Sequence, residues 1–151
     1  MIIEVESEIA MKMFGTKMGV LLAGGEIIEL VGDVGAGKTT LTKGIAMGLQ
    51  VEETVQSPSF TISRVYETPN DLRMVHYDFY RLHDAGIMAD ELRETVQDPA
   101  AITIIEWAGI VEGVLPADRL TVTITAPTET DRRIELTAGG EMGEKLLGQL
   151  A

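Results

Sequence analysis

The residues with the clearest chemical potential form a glycine-rich stretch at 32–39, GDVGAGKT. An apolar run at 27–31 precedes this stretch, and residues 40–46 have the composition of a helix. Strand, glycine loop and helix in this order are what a phosphate-binding P-loop requires. Glycine lets the backbone point several N–H groups at one anion, and the start of the helix adds partial positive charge. The stretch therefore predicts a nucleoside triphosphate site.

Two side chains of the loop have specific expected roles. Lys38 is expected to reach the β- and γ-phosphates, and the Thr39 hydroxyl is expected to ligate Mg²⁺. The alternative interpretation is a glycine turn with an exposed lysine, which the flanking strand and helix argue against. The residues predicted to bind the nucleotide are Asp33, Val34, Gly35, Ala36, Gly37, Lys38, Thr39 and Thr40.

A P-loop also needs a carboxylate from the end of a neighbouring strand to hold Mg²⁺ or its waters. Glu106 directly follows the apolar run 100–105, and Asp78 lies near the end of the segment 74–77. Our hypothesis is that Thr39 and Glu106 hold Mg²⁺ directly, whereas Asp78 either joins through water or orients the attacking water. Either acid could instead be an ordinary strand-end residue. Lys38, Asp78 and Glu106 are the predicted catalytic residues.

Four further side chains lie near these motifs in the sequence. His76 is interpreted as a core or supporting residue and His83 as solvent-exposed. Arg81 either stabilises charge near the γ-phosphate or forms a structural ion pair. Trp107 packs under the site or faces a partner, and nothing local decides which.

A sheet with a parallel centre would bring these residues together. The runs 27–31 and 100–105 are predicted to be central strands, and ligands bind at the carboxyl ends of such strands. A hairpin is predicted from a strand through Phe60, Ile62 and Val65, a turn at 69–71 and a strand at 73–80. A second hairpin, 120–124 with 133–136, is predicted at the sheet margin.

The remaining elements complete an α/β fold. Residues 2–5 are predicted to be an edge strand. Ser7 should cap a helix that presents Ala10, Phe14, Met18 and Leu21 and stops at Gly24. The P-loop helix should end near residue 48, residues 82–98 should be a loop with one or two short helices, and 143–150 should close the chain as a helix. The expectation is one P-loop ATPase domain, 1–151, with a mixed sheet, parallel centre and antiparallel hairpins flanked by helices.

Composition narrows the function classes. The chain has no cysteine, which excludes disulfides and thiol catalysis, and its net charge of −12 argues against stable nucleic-acid binding on its own. The charge leaves room for a basic protein partner, although solubility alone explains it. The sequence shows no signal peptide and no apolar run as long as a membrane span, so we expect a cytoplasmic protein without membrane association.

Four motifs occur in order: GDVGAGKTT at 32–40, SPSFT at 57–61, HYDFYRL at 76–82 and IEW at 105–107. In these motifs and their order the chain resembles the TsaE (also called YjeE) family of small bacterial P-loop ATPases. It departs from the family pattern slightly. Ser59 stands where Thr is usual, Val34 where Leu is usual and Ala108 where Pro is common, which leaves the conformation of the loop after Trp107 open.

The resemblance implies a function that spacing could not show. The family acts in forming N6-threonylcarbamoyladenosine beside the anticodon of tRNA, as an ATPase working with the TsaB–TsaD pair. By this resemblance ATP and Mg²⁺ bind Lys38 and Thr39, Glu106 matches the Mg²⁺ ligand, and Asp78 matches an acid near the catalytic centre. The segment 57–61 resembles a switch-like loop beside the γ-phosphate.

Other functions on the same fold were weighed. A small-molecule kinase needs an acceptor pocket and usually a basic lid, but residues 82–98 contain only Arg93 as a lysine or arginine. A GTPase would need an Asn-Lys-x-Asp motif, which the sequence lacks. A nucleotide-binding module without turnover is the third alternative. We expect weak ATPase activity in isolation, since no arginine finger is obvious and a partner could be needed to order the switch-like loop.

Overall fold

The computed structural model describes residues 1–58 and 61–151. Ser59 and Phe60, which belong to the predicted third strand and switch-like loop, lie outside the described residues. The elements are β1 (Ile2–Val5), α1 (Glu8–Leu21), β2 (Ile27–Val31), α2 (Lys38–Gly48), β3 (Ser63–Glu67), β4 (Arg73–Asp78), α3 (Ile87–Gln97), β5 (Ala101–Glu106), a 3₁₀ helix (Ala108–Val111), β6 (Leu120–Thr125), β7 (Arg132–Ala138) and α4 (Glu141–Leu150).

The strands form one sheet in the order β1-β7-β6-β2-β5-β4-β3. The P-loop strand β2 is parallel to both β5 and β6, and β4 is parallel to β5. The pairs β3–β4, β6–β7 and β1–β7 are antiparallel. The predicted α/β fold with a parallel centre and antiparallel hairpins is therefore confirmed, as is the edge strand β1.

The second hairpin differs from the prediction in its place in the sheet. It was expected at the margin, but β6 lies beside β2 within the parallel centre, and β1 covers the outer side of β7. The side chains of β6 alternate in burial: Leu120, Val122 and Ile124 are buried, and the intervening threonines are partly accessible.

Helices cover both faces of the sheet. The larger core cluster joins α1, α2 and α4 to one face, and the second cluster joins α3 and the 3₁₀ helix to the other. Along β5, Ile102 and Ile104 belong to the first cluster, whereas Ala101 and Ile105 belong to the second. This is the two-sided burial that the continuous apolar run predicted.

Several element boundaries differ from the predictions. The strand expected at 73–80 ends at Asp78, and β3 begins only at Ser63 because Ile62 has a positive φ of 69°. Residues 82–98 contain a single helix of 11 residues, α3. Helix α1 begins as predicted, with Ser7 accepting a hydrogen bond from the Ala10 amide, but it ends at Leu21 before the glycines. In residues 1–58 and 61–151 no helix combines the length and apolar character needed to span a bilayer.

Glycines set the distance between α1 and the P-loop helix α2. The buried face of α1 contains the predicted Phe14 and Met18 together with Met11, Gly15 and Gly19. The predicted Ala10 and Leu21 are partly buried and pack against the same core cluster. A Cβ added to Gly15 would lie 2.6 Å from the Leu41 carbonyl oxygen of α2. The two backbones are therefore too close for any larger residue at this position.

Gly15→Ala is expected to destabilise the protein by about 1–3 kcal/mol, since the extra methyl group must push α2 away. Gly148→Ala on α4 is the matched control, because a Cβ there has no neighbour within 4 Å. It should be neutral or stabilise by about 0.5–1 kcal/mol through helix propensity. Urea unfolding of both variants measures the difference, and equal stabilities would contradict the close contact.

Candidate functional site

The P-loop occupies residues 32–37, between the last residue of β2 and the first of α2. Gly35 and Gly37 have φ values of 86° and 115°, in the region that favours glycine. The first hydrogen bond of α2 runs from the Leu41 amide to the Gly37 carbonyl, at 2.9 Å. In the described part of the chain the amides of Lys38, Thr39 and Thr40 have no backbone acceptor, as is usual in a first helical turn. These amides form the kind of anion-binding helix start that the sequence predicted.

Lys38 lies at the centre of the site and is only 6% exposed. Its Nζ donates to the Gly32 carbonyl at 2.6 Å and lies 3.8 Å from Glu106 Oε1. Burial lowers the pKa of the Lys38 ammonium below its ordinary value, and the negative charges of Glu106, Asp78 and Asp33 oppose that shift. The lysine is thus a partly desolvated cation, which anionic groups stabilise.

Glu106 and Asp78 end two neighbouring parallel strands and lie opposite each other in the β4–β5 register. Both residues are buried, which is uncommon for carboxylates and requires compensating partners. Glu106 has Lys38 and His76 as partners, and one Asp78 oxygen accepts a hydrogen bond from the Tyr80 amide at 2.9 Å. The strand that ends at Asp78, β4, lies between β5 and β3 in the sheet.

The structure shows where the side chains lie whose roles the sequence alone did not decide. His76 is fully buried and bonded to Glu106, and His83 is exposed, both as interpreted from the sequence. Trp107 packs beneath the site: Lys38 Nζ lies 4.1 Å from its ring centroid, and the Tyr80 ring centroid is 4.8 Å from it. Trp107 has a left-handed backbone with φ of 57°, and the 3₁₀ helix starts directly after it at Ala108. The sequence left the conformation of this loop open, because Ala108 stands where Pro is common.

A cavity of about 450 Å³ brings most of the predicted site residues together. Two predicted P-loop residues lie apart from it: Ala36 is buried against the core, and Asp33 is exposed beside the cavity. Arg81 also lines the cavity, as does Ser57 of the switch-like loop at 57–61. The predicted residues that line it are Val34, Gly35, Gly37, Lys38, Thr39, Thr40, Asp78 and Glu106.

A second cavity of about 380 Å³ adjoins the first and shares Gly35, Gly37 and Thr40 with it. Its outer wall includes Ser7 and Met11 of the α1 region and Arg132 of β7. This cavity could not be predicted from sequence, because its walls come from segments far apart along the chain.

Arg132 is a site residue that sequence reasoning missed. Its Nε donates to the Ala36 carbonyl of the P-loop at 3.0 Å, and its Nη1 donates to the carbonyls of Thr128, Glu129 and Asp131. One guanidinium therefore ties the loop between β6 and β7 to the P-loop. In the sequence Arg132 follows a polar turn and belongs to no motif, so no local signal distinguished it.

The donor set fits Mg²⁺ in the presence of phosphate. Thr39, Asp78 and Glu106 offer a hydroxyl and two carboxylates, the hard oxygen ligands that Mg²⁺ prefers. Among the described residues no group of three His, Asp or Glu side chains is placed to hold a metal ion without other ligands. Magnesium commonly uses one or two carboxylates and completes its shell with substrate phosphates and water.

Comparison with known proteins gives a consistent result. The family model described as "Threonylcarbamoyl adenosine biosynthesis protein TsaE" matches residues 5–134, a range that contains the P-loop, Asp78 and Glu106. A Bacillus subtilis protein named tRNA threonylcarbamoyladenosine biosynthesis protein TsaE is 38% identical over 129 residues, which cover 84% of this chain and 78% of that protein. A Haemophilus influenzae protein of the same name is 30% identical over 148 residues, 95% of this chain and 92% of that protein.

A solved structure is similar over nearly the whole chain. The crystal structure of YdiB from Bacillus subtilis superposes with a TM-score of 0.83 at 31% identity. The match covers 99% of this chain and 93% of the other. The whole fold described above is therefore shared with a solved structure.

Proposed function

This chain belongs to the TsaE family of threonylcarbamoyl adenosine biosynthesis proteins, and on that premise we propose that it binds ATP with Mg²⁺ and hydrolyses it. In this proposal the hydrolysis supports threonylcarbamoyl transfer to the adenosine beside the anticodon of tRNA, together with TsaB and TsaD, in the cytoplasm. The observation that carries the proposal is the single cavity lined by Lys38, Thr39, Asp78 and Glu106. Three separate segments of the chain deliver these four side chains to one place.

The P-loop would bind the phosphates. The amides at the start of α2 point at one anion, and the Lys38 ammonium adds a full positive charge beside them. Lys38 Nζ is held over Trp107 and against the Gly32 carbonyl, so its position is restricted before a ligand enters. A restricted cation loses less conformational entropy when a phosphate binds, which favours affinity.

The acids would complete the reaction centre. When bound, Mg²⁺ would neutralise phosphate charge and withdraw electrons from the phosphorus. Thr39 and Glu106 are the residues that would hold it, since one supplies a hydroxyl oxygen and the other a carboxylate in the same cavity. Asp78, beside Glu106 in the sheet register, would orient a water or accept its proton.

The adjoining cavity would take the nucleoside. It begins at the same glycines as the phosphate cavity and contains both an apolar side chain, Met11, and polar groups such as Ser7. Glu6, Glu8, Glu129 and Thr130 also line this cavity. Met11 would give an apolar contact, and these side-chain oxygens would accept hydrogen bonds from the amino and hydroxyl groups of a nucleoside. Arg132 would keep this space open by holding the loop between β6 and β7 against the P-loop.

The charge of the chain supports dependence on a partner for tRNA. A net charge of −12 opposes stable binding to a phosphate backbone, so the chain would act on tRNA modification through the TsaB–TsaD pair. In this proposal the chain alone does not bind tRNA stably.

An ADP-production assay tests the proposal. The purified chain with ATP and Mg²⁺ is expected to turn over far more slowly than the typical enzyme rate of about 10 per second. Addition of TsaB–TsaD is expected to raise ADP production and to allow threonylcarbamoyl transfer to tRNA. ADP formation coupled to phosphorylation of a metabolite would indicate a kinase. Tight ATP binding without hydrolysis, even with the partners, would indicate a binding module and contradict the ATPase proposal.

A further inference from the structure

The burial of His76 in the protein interior is energetically unfavourable. Its side chain has no exposed surface, and its Nε2 lies 2.6 Å from Glu106 Oε2. Its Nδ1 is also buried, and among the described residues it has no hydrogen-bond partner. A buried polar nitrogen without a partner destabilises the folded state, so an apolar residue would be better tolerated at this point of the core. The hydrogen bond between the imidazole and Glu106 offsets this loss.

The sheet register explains how the two side chains meet. In the β4–β5 pair His76 lies opposite Ile104, and Asp78 lies opposite Glu106. Side chains two residues apart on a strand share a face, so His76, Asp78 and Glu106 all face α1 and α2. His76 and Glu106 are diagonal neighbours on that face, a separation that two long side chains can bridge.

The contact fixes the orientation of the carboxylate. With Oε2 at His76, the other oxygen, Oε1, lies 3.8 Å from Lys38 Nζ at the wall of the cavity. Rotation of the carboxylate away from this orientation would leave a buried oxygen without a donor, which is unfavourable. The imidazole therefore fixes the orientation of the carboxylate and leaves one of its two equivalent oxygens facing the cavity.

We propose that His76 is a positioning residue for Glu106: its Nε2–H holds Oε2, so that Oε1 faces the space where nucleotide and Mg²⁺ would bind. The inference rests on the function proposed above. A carboxylate only accepts hydrogen bonds, so Nε2 must carry the hydrogen. Groups that orient metal-binding side chains typically change metal affinity by 10- to 100-fold when they are removed.

The first test compares two replacements of His76 with a neighbouring core variant. His76→Leu removes the donor, whereas the amide of His76→Gln can donate to the same oxygen. Ile104→Val, opposite His76 in the register, perturbs the same part of the core and leaves both side chains of the His76–Glu106 pair in the protein. Binding of ADP at increasing Mg²⁺ concentration is followed by fluorescence of Trp107, the only tryptophan of the chain, which contacts Lys38.

His76→Leu is expected to raise the Mg²⁺ concentration needed for half-maximal binding by about 10- to 100-fold. His76→Gln and Ile104→Val should stay close to the wild-type requirement, even where their melting temperatures fall. A wild-type Mg²⁺ requirement in His76→Leu would overturn the role of His76. Failure of His76→Gln to restore binding to near the wild-type level would also overturn it.

A second measurement uses the wild-type protein without nucleotide, so it does not depend on a folded variant. The chain has two histidines, and His83→Gln identifies the ¹⁵N signals of the His76 ring by elimination. Nitrogen NMR is expected to show a hydrogen on Nε2. A ring with hydrogen on Nδ1 and a bare Nε2 would overturn the inference.

The outcomes separate this inference from the function on which it rests. If the wild-type chain shows no Mg²⁺-dependent ADP binding, the proposed function fails and the role of His76 fails with it. If Glu106→Gln raises the Mg²⁺ requirement and His76→Leu does not, only the role of His76 fails.

Discussion

Lys38→Ala is expected to bind ATP about 10- to 100-fold more weakly than the wild-type chain, because a charge-assisted hydrogen bond contributes about 1.5–3 kcal/mol. The reason lies in the surroundings of the ammonium. Lys38 is buried beside the amides of the first turn of α2, where the phosphates would bind. Arg81 also lines the cavity but is exposed, so it does not supply a buried charge at that point. The charge of Lys38 is also partly desolvated, which strengthens its attraction to an anion.

Calorimetric titration is the suitable measurement for this variant. Trp107 fluorescence is a poor reporter here, because removal of Lys38 changes the environment of the indole directly. Lys43→Ala is the matched control: it removes a lysine from the same helix, and Lys43 lines neither of the two cavities. We expect Lys43→Ala to bind ATP as the wild type does. Equal affinities of Lys38→Ala and the wild type would remove Lys38 from the phosphate site.

Local sequence patterns were sufficient for the centre of the fold. The glycine spacing at 32–39 depends on backbone freedom, and the apolar run at 100–105 depends on burial on two faces, so both can be recognised within ten residues. The position of Glu106 at the end of the run 100–105 predicted that it would lie in one site with Thr39, and the structure places Thr39, Lys38 and Glu106 in the wall of one cavity. Each of these short patterns reflects a requirement of the whole fold: glycine conformations in the P-loop and burial of β5 on both faces.

Contacts between distant segments could not be predicted in the same way. The His76–Glu106 bond joins residues 30 apart, and the Arg132–Ala36 bond joins residues 96 apart. Both depend on strand register, which pairing across the whole sheet decides and which no single segment encodes. The same reason explains why β6 was expected at the margin: its own alternating pattern does not reveal that β1 pairs outside β7.

The site therefore combines structural elements that depend on different features of the sequence. Glycine conformations shape the P-loop, the ends of two parallel strands place Glu106 and Asp78, and the bond from Arg132 to the Ala36 carbonyl oxygen joins the wall of the second cavity to the P-loop. Substitutions at these elements should produce distinct defects. Loss of Lys38 should weaken binding with or without metal, whereas loss of the Glu106 charge should weaken binding only when Mg²⁺ is present.

Glu106→Gln is expected to reduce partner-stimulated ATP hydrolysis by at least about 100-fold, since loss of a metal-binding carboxylate removes several kcal/mol of transition-state stabilisation. Glutamine has nearly the same shape and keeps an oxygen that can accept from His76 Nε2, so the fold should be retained. ATP binding without Mg²⁺ should not be weakened, because the P-loop amides and Lys38 remain and the variant loses a negative charge 3.8 Å from Lys38 Nζ that would repel the phosphates.

The measurement that checks Glu106→Gln is ADP production with TsaB–TsaD over a range of Mg²⁺ concentrations, beside ATP binding in a chelator. Glu112→Gln serves as the matched control, since Glu112 pairs with Arg119 and lines neither cavity. It should hydrolyse ATP as the wild type does. An unchanged Mg²⁺ dependence in Glu106→Gln would remove Glu106 from the metal site and leave Asp78, its neighbour in the register, as the carboxylate to test next. Because Asp78 and Glu106 end adjacent strands, the double variant would then show whether the two acids act as one unit: losses that add indicate independent roles, and losses that do not add indicate a shared one.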